Sequence, residues 1–334
     1  MIDWKRTVRV GGTDLFVPRI GLGTASLGNL LVPVSDDEAV GVIRSALDAG
    51  IRFIDTAPLY GHGLAEQRVA RAISGWPREE LVLSTKVGRL LREGAPPDES
   101  QYHQGEPFYR DVPSAGPVWD FSETGIRTSV AESARRVGVE RFDILHLHDP
   151  DDHYLEASTT GYQALDALRR EDSVAAIGAG MNHTGVQTRL VRHCDLDVVL
   201  VAGRYTLLDQ TAMNDLLPAC VDRGVSVVIG GVFNSGVLVE PSPGARFDYV
   251  PASDEVVERA RLLQGICRAH GVPLAAAALQ FPLAHPRVCS VLLGPRSIAE
   301  LETNLRLLEV DIPSRLWRDL IDDGLIRDDA PVPA

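Results

Sequence analysis

The sequence predicts an α/β fold, a closed (β/α)8 or TIM barrel, and three observations support this prediction. Eight short apolar segments recur along the chain, and each is followed by an amphipathic stretch with the spacing of a helix. Apolar strands that alternate with helices are typical of a parallel sheet whose faces are covered. Eight such units in 334 residues fit a barrel better than a doubly wound sheet, because no G-x-G-x-x-G motif opens a helix after the first strand.

The predicted elements alternate along the chain. We expect strands at 20–24, 51–56, 81–88, 141–148, 174–180, 197–203, 225–231 and 288–294. We expect helices at 36–49, 64–74, 123–137, 157–170, 186–192, 211–223, 253–270 and 297–308. Serines and glycines occupy expected cap positions, and these are Ser35, Ser253, Ser297, Gly50, Gly138, Gly224 and Gly271. Because no boundary interrupts this pattern, we predict one domain over residues 1–334.

Three further segments complete the predicted barrel. Residues 8–19 (VRVGGTDLFVPR) carry a Gly-Gly turn between two strand-like runs, which predicts an N-terminal β-hairpin that closes the barrel floor. Residues 88–122 and 231–252 are too long to be plain connections, and both follow the carboxyl ends of strands. Since barrel enzymes build their sites at that end, we expect these two long loops to border a site at the C-terminal mouth.

Composition and charge argue against several classes of partner. The net charge is −13 at pH 7 and the pI is near 5.1, so neither nucleic acid nor an anionic membrane is an expected partner. The first ten residues lack the apolar core of a signal peptide, and no 18-residue apolar run occurs. The four cysteines never form a C-x-x-C pair, which predicts reduced, buried thiols in a cytoplasmic protein.

Titratable side chains close three successive predicted strands. Asp55 ends the second strand, Lys86 lies near the end of the third, and His148 ends the fourth. Tyr60 follows in the loop after the second strand. Because the carboxyl ends of the strands meet at one rim of a barrel, we expect these four groups to converge. The chain has only two lysines among its 33 basic residues, which indicates that position 86 needs a compact ammonium group.

These four groups could interconvert a carbinol and a carbonyl. A strand-end carboxylate is costly to bury alone, and Lys86 is a suitable counter-charge for Asp55. We expect the ammonium group to lower the pKa of the Tyr60 phenol, which could then exchange a proton with a substrate oxygen near neutral pH. His148 could donate a hydrogen bond to the same oxygen, and a separate cofactor would carry the hydride.

The motif HLHDPDDH at 146–153 offers a competing interpretation. His146 and His148 share one face of a strand and carboxylates follow them, as in a metal-dependent barrel hydrolase. No further His or Cys closes the later strands to complete a ligand set, although His153 and His183 lie in loops. We therefore expect no metal, and we expect His146 to be a hydrogen-bonded interior residue.

Several of these segments resemble the aldo-keto reductase superfamily, and the likeness covers nearly the whole chain. FIDTAPLYGHGLAEQRVARAI is similar to its second-strand signature, LVLSTKVG to its third strand, and SVAESARRVGVERFDILHLHDPD to its third helix and fourth strand. The resemblance implies a barrel that binds an extended nicotinamide dinucleotide across its C-terminal mouth. It places the family's catalytic Asp, Tyr, Lys and His at Asp55, Tyr60, Lys86 and His148, the last because it stands five residues after Asp143.

The same resemblance implies positions for the cofactor. Gly180 and Met181 replace a Ser-Asn pair that holds the carboxamide in the family, which leaves Asn182 as the substitute. GGVFNSGVL resembles the pyrophosphate loop, whose backbone amides suit an anion, and GPRSIAELETN resembles the adenosine-phosphate motif. The implied cofactor residues are Thr24, Asn182, Tyr205, Phe233, Asn234, Ser235, Gly236, Leu238, Gly294, Arg296, Ser297, Glu300 and Asn304.

Two charges in the adenosine motif bear on the choice between NAD and NADP. Glu300 stands where NADP-preferring family members often carry a basic or neutral residue, and its carboxylate would repel a 2′-phosphate. Arg296 would attract the same phosphate. We expect NAD to be the cofactor, with NADP as the other candidate.

The departures from the general family pattern are similar to its aldose 1-dehydrogenase branch, which includes L-fucose and D-threo-aldose dehydrogenases and pyridoxal 4-dehydrogenase-like relatives. GAGMN, GRYTLLDQ, GGVFNSGVL, GPRS and HDPDD carry this likeness. It implies that a small cyclic hemiacetal is oxidised to its lactone. Pyridoxal 4-dehydrogenase, a general aldehyde or ketone reductase and a nucleotide-binding regulatory subunit are the alternatives.

The expected partner is a small sugar or aldehyde, and Trp119 and Arg204 are its candidate contacts. We expect a monomer or a small homo-oligomer.

Overall fold

The computed structural model describes residues 3–333 and contains a closed barrel of eight parallel strands. Each strand pairs with the next one in the barrel, and the last pairs with the first to close the sheet. This confirms the predicted fold class. The barrel strands are β1 Ile20–Gly23, β2 Phe53–Asp55, β3 Val82–Val87, β4 Ile144–His148, β5 Ala176–Met181, β6 Val198–Ala202, β7 Ser226–Gly230 and β8 Val288–Leu293.

Helices form a layer around the barrel. They are α1 Asp36–Ala49, α2 Leu64–Ile73, α3 Glu123–Val137, α4 Tyr162–Arg170, α5 Thr184–His193, α6 Leu216–Arg223, α7 Asp254–Ala269, α8 Leu274–Gln280, α9 Ile298–Leu308 and α10 Ser314–Asp322. The predicted single helix over 157–170 is wrong in its first part, where Ala157–Gly161 form a π-helical turn. The predicted helix over 211–223 is also interrupted, since Thr211–Met213 form a separate 3-10 turn.

Two helices, α8 and α10, are absent from the sequence prediction for different reasons. Every residue of α8 is buried, so the segment LAAAALQ has no polar face from which a helical period could be read. Helix α10 follows the eighth strand–helix unit. The prediction counts eight such units, so the repeating β/α pattern gives no reason to expect a further helix there.

Cap residues fix the helix ends at the predicted positions. The Ser35 hydroxyl accepts a hydrogen bond from the Glu38 amide at 3.3 Å at the start of α1. The Ser297 hydroxyl accepts one from the Glu300 amide at 3.2 Å at the start of α9. Gly50 ends α1 with a φ of 102°, a left-handed conformation that favours glycine. These bonds satisfy backbone groups that a helix leaves open at its ends.

The N-terminal hairpin covers the barrel floor, as predicted. Thr7–Arg9 pairs antiparallel with Phe16–Pro18, and Val17 is fully buried in the cluster that fills the lower barrel. The turn of the hairpin lies against the strand ends, because a Cβ on Gly11 would stand 2.6 Å from the Asp197 carbonyl oxygen. Gly11 also has a φ of 52°, so both conformation and space require glycine here.

The barrel interior contains two buried polar side chains side by side. Lys86 of β3 and His146 of β4 are direct partners in the strand register, and their exposed fractions are 1% and 0%. Glycines of β5 make room for them. A Cβ on Gly180 would lie 3.2 Å from Lys86 Cε, and one on Gly178 would lie 2.9 Å from His146 Nδ1. The two glycines of the GAG sequence in β5 therefore leave the space that the Lys86 and His146 side chains occupy.

The two long loops fold into small hairpins at the carboxyl ends of the strands. In the first loop Arg89–Arg92 pairs with Gly116–Trp119, and in the second Arg246–Phe247 pairs with Val250–Pro251. The loops contact each other through the tilted rings of Phe108 and Tyr249, whose centroids are 5.7 Å apart. The prediction that both loops border the barrel mouth is confirmed by these positions.

The state of the cysteines and the length of the helices match what the composition predicts. All four cysteines are buried free thiols, and burial raises the pKa of Cys194 to about 11. Among residues 3–333, no single helix has the length and apolar character needed to cross a membrane. The segments Asp254–Ala269 and Leu274–Ala284 reach that threshold only in combination, and they are bent by 100° relative to each other.

Candidate active site

A buried ion pair forms the base of the site. Asp55, the last residue of β2, accepts a hydrogen bond from Lys86 Nζ at 2.7 Å, and the exposed fraction of each side chain is at most 2%. Lys86 Nζ also donates to the Thr56 carbonyl oxygen at 3.0 Å, and the Ser84 hydroxyl donates to the second Asp55 oxygen. Each charge is therefore paired and hydrogen-bonded, which is the condition under which an ion pair tolerates burial.

Tyr60 is carried by the tight loop that follows β2. Residues 61–63 (GHG) all have positive φ values, a path that glycine favours. Gly28 packs so closely against this loop that a Cβ there would lie 2.6 Å from the Tyr60 carbonyl carbon. The loop thus folds back and places the Tyr60 ring beside Lys86, whose Nζ lies 4.5 Å from the ring centroid.

The expected lowering of the Tyr60 pKa is wrong. Burial raises the pKa of the Tyr60 phenol well above its ordinary value of 10, and the Asp55 carboxylate raises it further. Lys86 does not offset these effects because its ammonium group lies over the ring face and donates its hydrogen bonds to Asp55 and Thr56. Tyr60 is therefore a protonated phenol at neutral pH, suited to give a proton to a carbonyl oxygen.

His148 completes the group at the end of β4. Its ring stands nearly perpendicular to that of Tyr60, with ring centroids 5.9 Å apart. Burial lowers the pKa of His148 well below 6.5, and Arg89 and Lys86 lower it further. The imidazole is consequently neutral and carries one N–H, which can donate to a substrate oxygen. The structure thus brings together Asp55, Tyr60, Lys86 and His148 as the strand ends predict.

His146 lies deeper in the barrel and differs from the prediction. It is fully buried, but neither Nδ1 nor Nε2 has a hydrogen-bond partner within residues 3–333, so the expected hydrogen-bonded interior residue is wrong. Burial lowers its pKa to about 3, which keeps the ring neutral beside Lys86. His153 packs on Trp119 instead of pointing to His146.

The metal alternative receives no support from these positions. No group of three His, Cys, Asp or Glu side chains in the described part of the chain could hold a metal ion.

The segment after β7, which the family resemblance assigns to the cofactor pyrophosphate, forms a tight turn. Asn234, Ser235 and Gly236 have consecutive positive φ values of 45°, 59° and 106°. The Asn234 amide donates to the Gly231 carbonyl at 2.8 Å, and the Gly236 amide donates to the Phe233 carbonyl at 3.0 Å, so both amides are engaged within the loop. The Asn234 side-chain amide donates to the Gly203 carbonyl at 3.1 Å, while its Oδ1 is buried with no partner among residues 3–333. Contact of this segment with the pyrophosphate of a dinucleotide therefore stays a prediction, and the N-terminus of α9 at Ser297 is the other position where backbone amides could meet an anion.

The other predicted cofactor residues are either accessible to solvent or buried. Asn182, Phe233 and Asn304 are partly exposed, Gly294 is exposed, and all of them follow strand ends or lie on α9. Thr24 is buried and hydrogen-bonds the Asp55 carbonyl at 3.0 Å, so it supports the ion pair from the end of β1.

Tyr205 and Leu238 are fully buried, which contradicts a direct contact with a cofactor. Tyr205 packs between Phe281 and His285, with centroid distances of 5.2 and 5.5 Å, in the layer outside the barrel. The sequence likeness at GRYTLLDQ therefore identifies a packing residue, because the chain turns this ring toward α8 and its C-terminal extension.

The two predicted substrate residues, Arg204 and Trp119, both contact other side chains of the protein. The guanidinium group of Arg204 forms two parallel bonds to Asp248, at 3.0 and 2.6 Å, which tie the end of β6 to the second long loop. Arg204 is thus engaged within the protein, and its contact with a substrate hydroxyl stays a prediction. Trp119 is half-buried at the mouth, where the centroid of its ring lies 4.0 Å from the guanidinium carbon of Arg89.

Three residues near the mouth, Arg89, Asp149 and Tyr249, are missing from the sequence prediction of the site. Tyr109 and Tyr249, one from each long loop, add to the effects of burial and Asp55 that raise the pKa of Tyr60, and the ring centroids of Tyr109 and Tyr60 are 6.4 Å apart. Arg89 and Asp149 follow β3 and β4 and bond to each other at 3.0 Å. Arg89 and Asp149 stand just beyond Lys86 and His148 in the sequence, which is the signal that could have identified them.

Comparison with known proteins identifies the family. The sequence matches the Aldo/keto reductase family over residues 19–320, which includes the barrel and all four converging residues. The chain belongs to the aldo-keto reductase family. Members of this family use nicotinamide cofactors, and a solved aldo-keto reductase from Bacillus halodurans in its holo form has the same fold, with a TM-score of 0.74, 26% identity and coverage of 98% of each chain.

Relatives of known activity place this aldo-keto reductase within the family. It is 44% identical to a D-threo-aldose 1-dehydrogenase of a Pseudomonas species, over 93% of this chain and 95% of the relative. It is 39% identical to a pyridoxal 4-dehydrogenase of Microbacterium luteolum, over 95% of this chain and 97% of the relative. Both relatives support the predicted aldose dehydrogenase branch.

Proposed function

We propose that this aldo-keto reductase oxidises a small cyclic hemiacetal, an aldose of the L-fucose or D-threo type, to the corresponding lactone with NAD. The observation that carries the proposal is the convergence of Tyr60 and His148 above the buried Asp55–Lys86 pair. The similarity to a D-threo-aldose 1-dehydrogenase over nearly the whole chain supports the class of substrate. In a cyclic hemiacetal, the anomeric carbon carries both the hydroxyl group and the hydrogen that such a reaction removes.

The roles of the residues follow from the site. In its phenolate form, the minor form at neutral pH, Tyr60 accepts the proton of the anomeric hydroxyl group, and the C–H bond of the anomeric carbon breaks as the C=O bond of the lactone forms. His148, as a neutral N–H donor, holds the reacting oxygen in place. The Asp55–Lys86 pair supports the Tyr60 ring from below. A bound nicotinamide supplies the hydride acceptor. In the reverse direction the protonated Tyr60 phenol gives its proton to a carbonyl oxygen.

The adenosine end of the site supports NAD over NADP. Glu300 accepts hydrogen bonds from the Arg296 side chain at 2.8 Å and from the Arg296 amide at 2.8 Å. Arg296 is therefore neutralised by a partner one helical turn away, and Glu300 adds its own repulsion toward a 2′-phosphate. Because the cation that would attract this phosphate is already paired, we infer a preference for NAD.

A substrate screen tests the function. Purified protein is assayed with NAD and with NADP against L-fucose, D-arabinose, L-galactose and pyridoxal, and the products are analysed. We expect NAD-linked oxidation of at least one aldose with formation of a lactone. Activity with pyridoxal alone would favour the pyridoxal 4-dehydrogenase alternative, which is supported by the relative with 39% identity. Carbonyl reduction with NADPH alone and without lactone would overturn the proposal.

Glu300→Gln is expected to shift the cofactor preference toward NADP. Loss of the carboxylate removes its repulsion and frees the Arg296 guanidinium, so kcat/KM for NADP should rise about fivefold relative to NAD, as for an exposed charge interaction of about 1 kcal/mol. The ratio of kcat/KM values for the two cofactors is the measurement. Glu302→Gln is the control, because Glu302 lies on the same helix, is 61% exposed and pairs with Arg306. A ratio unchanged in Glu300→Gln would contradict the inferred basis of NAD preference.

A further inference from the structure

A buried arginine at the barrel mouth lacks partners for most of its donors. Arg89 follows β3, three residues after Lys86, and only 3% of it is exposed. Its Nη2 donates to Asp149 Oδ2 at 3.0 Å. Its Nε and Nη1 are buried and have no hydrogen-bond partner within residues 3–333, and the same holds for Asp98 Oδ2, which lies 3.5 Å from Nη1. Buried donors and acceptors left open in this way are costly, which indicates a site that a ligand completes.

This cluster adjoins the reacting atoms. Asp149 directly follows His148, and its Oδ2, which accepts the Arg89 bond, lies 3.6 Å from His148 Nε2. After burial, the Arg89 charge is the strongest influence that lowers the pKa of His148. A group bound by Arg89 and Asp149 would therefore lie next to the oxygen that His148 holds.

The chemistry of the cluster favours a neutral polyhydroxyl ligand over an anion. One guanidinium group faces two carboxylates, those of Asp98 and Asp149, and burial raises the pKa of Asp149. The excess of carboxylates disfavours a phosphorylated or acidic sugar. Hydroxyl groups both donate and accept, so they can satisfy the open N–H groups and the carboxylate oxygens together. The Trp119 ring packs on the Arg89 guanidinium group at 4.0 Å and holds it in one orientation.

We propose that Arg89, Asp149 and Asp98 form a subsite that hydrogen-bonds the hydroxyl group on the carbon next to the anomeric carbon. This inference rests on the proposed oxidation of an aldose. The subsite makes that neighbouring hydroxyl a requirement of the reaction, because a substrate that lacks it leaves Arg89 Nε and Nη1 and Asp98 Oδ2 without a hydrogen-bond partner. Simple aldehydes do not use the subsite.

The test compares Arg89→Met with wild type on L-fucose, 2-deoxy-L-fucose and propanal. We expect wild type to prefer L-fucose over its 2-deoxy analogue by about 10²-fold or more in kcat/KM, and Arg89→Met to lose most of that preference. Reduction of propanal should fall by a much smaller factor. Arg92→Met is the control, since Arg92 lies on the same hairpin strand but pairs with Glu132 and is 41% exposed. If Arg89→Met does not fold, Asp149→Asn provides the same comparison.

The outcomes separate the subsite from the function. In the first outcome, wild type oxidises L-fucose and Arg89→Met keeps the preference for L-fucose over 2-deoxy-L-fucose. This result would overturn the subsite and leave the proposed function intact. Equal losses on L-fucose, 2-deoxy-L-fucose and propanal would show that Arg89 acts through His148, and would also overturn the subsite. Wild type that reduces propanal but oxidises no aldose would overturn both.

Discussion

Tyr60→Phe is expected to abolish aldose oxidation while leaving the fold intact. The substitution removes the one group that the site offers for proton exchange with the reacting oxygen, so kcat should fall by about 10³-fold or more. The free energy of unfolding should change by less than about 1 kcal/mol, because only a hydroxyl group is lost from a partly exposed residue. Steady-state kinetics and urea unfolding are the measurements. Tyr109→Phe is the matched control, since its phenol is the neighbouring buried one in the mouth.

The pH dependence distinguishes a catalytic Tyr60 from a structural one. Oxidation requires the phenolate, and burial raises the pKa of Tyr60 well above 10, so the phenolate is a minor form at neutral pH. The kcat/KM for oxidation should therefore rise about tenfold per pH unit through the neutral and alkaline range. Reduction uses the protonated phenol and should be nearly level over the same range. An oxidation rate that stays level from about pH 6 to about pH 9 would contradict the raised pKa.

Lys86→Met is expected to reduce both stability and activity. Removal of the ammonium group leaves the Asp55 carboxylate 1% exposed and without its counter-charge. Breaking one side of a buried ion pair costs about 3–5 kcal/mol of unfolding free energy. Activity should fall as well, because the Tyr60 ring loses the ammonium group that lies 4.5 Å from its centroid. Urea unfolding and kcat are the measurements.

Two comparison variants make the Lys86 result specific. Lys5→Met replaces the other lysine of the chain, which lies over the Trp4 ring, and it should be close to wild type in both stability and activity. The double variant Asp55→Asn/Lys86→Met removes both charges and should recover much of the lost stability, since no unpaired charge stays buried. Its activity should not recover. A stable and active Lys86→Met variant would contradict the role of the pair.

The barrel and the catalytic group could be predicted because both follow from strand periodicity. Once the apolar segments are placed in a closed sheet, the residues that end them, Asp55 and His148, must lie at one rim. Lys86 and Tyr60 then follow from their positions within one strand and one short loop. These relations depend on neighbours in the chain or in the adjacent strand, which the sequence pattern contains.

The features that the sequence did not predict are side-chain orientations and contacts between distant residues. The direction of the Tyr60 pKa shift depends on where the Lys86 ammonium group points, and it points to Asp55 and not to the phenol oxygen. Arg204 is paired by Asp248, 44 residues away in a loop of irregular path. Tyr205 matches a family motif but turns into the helix layer. No periodic signal records any of these contacts, and each requires the folded loop.

The most direct measurement uses L-fucose that carries deuterium at the anomeric carbon, with NAD as the oxidant. The account predicts that the deuterium is transferred to the nicotinamide product, that the sugar product is a lactone, and that both events are lost in Tyr60→Phe. Reduced cofactor without deuterium, or a sugar product oxidised at another carbon, would contradict the account.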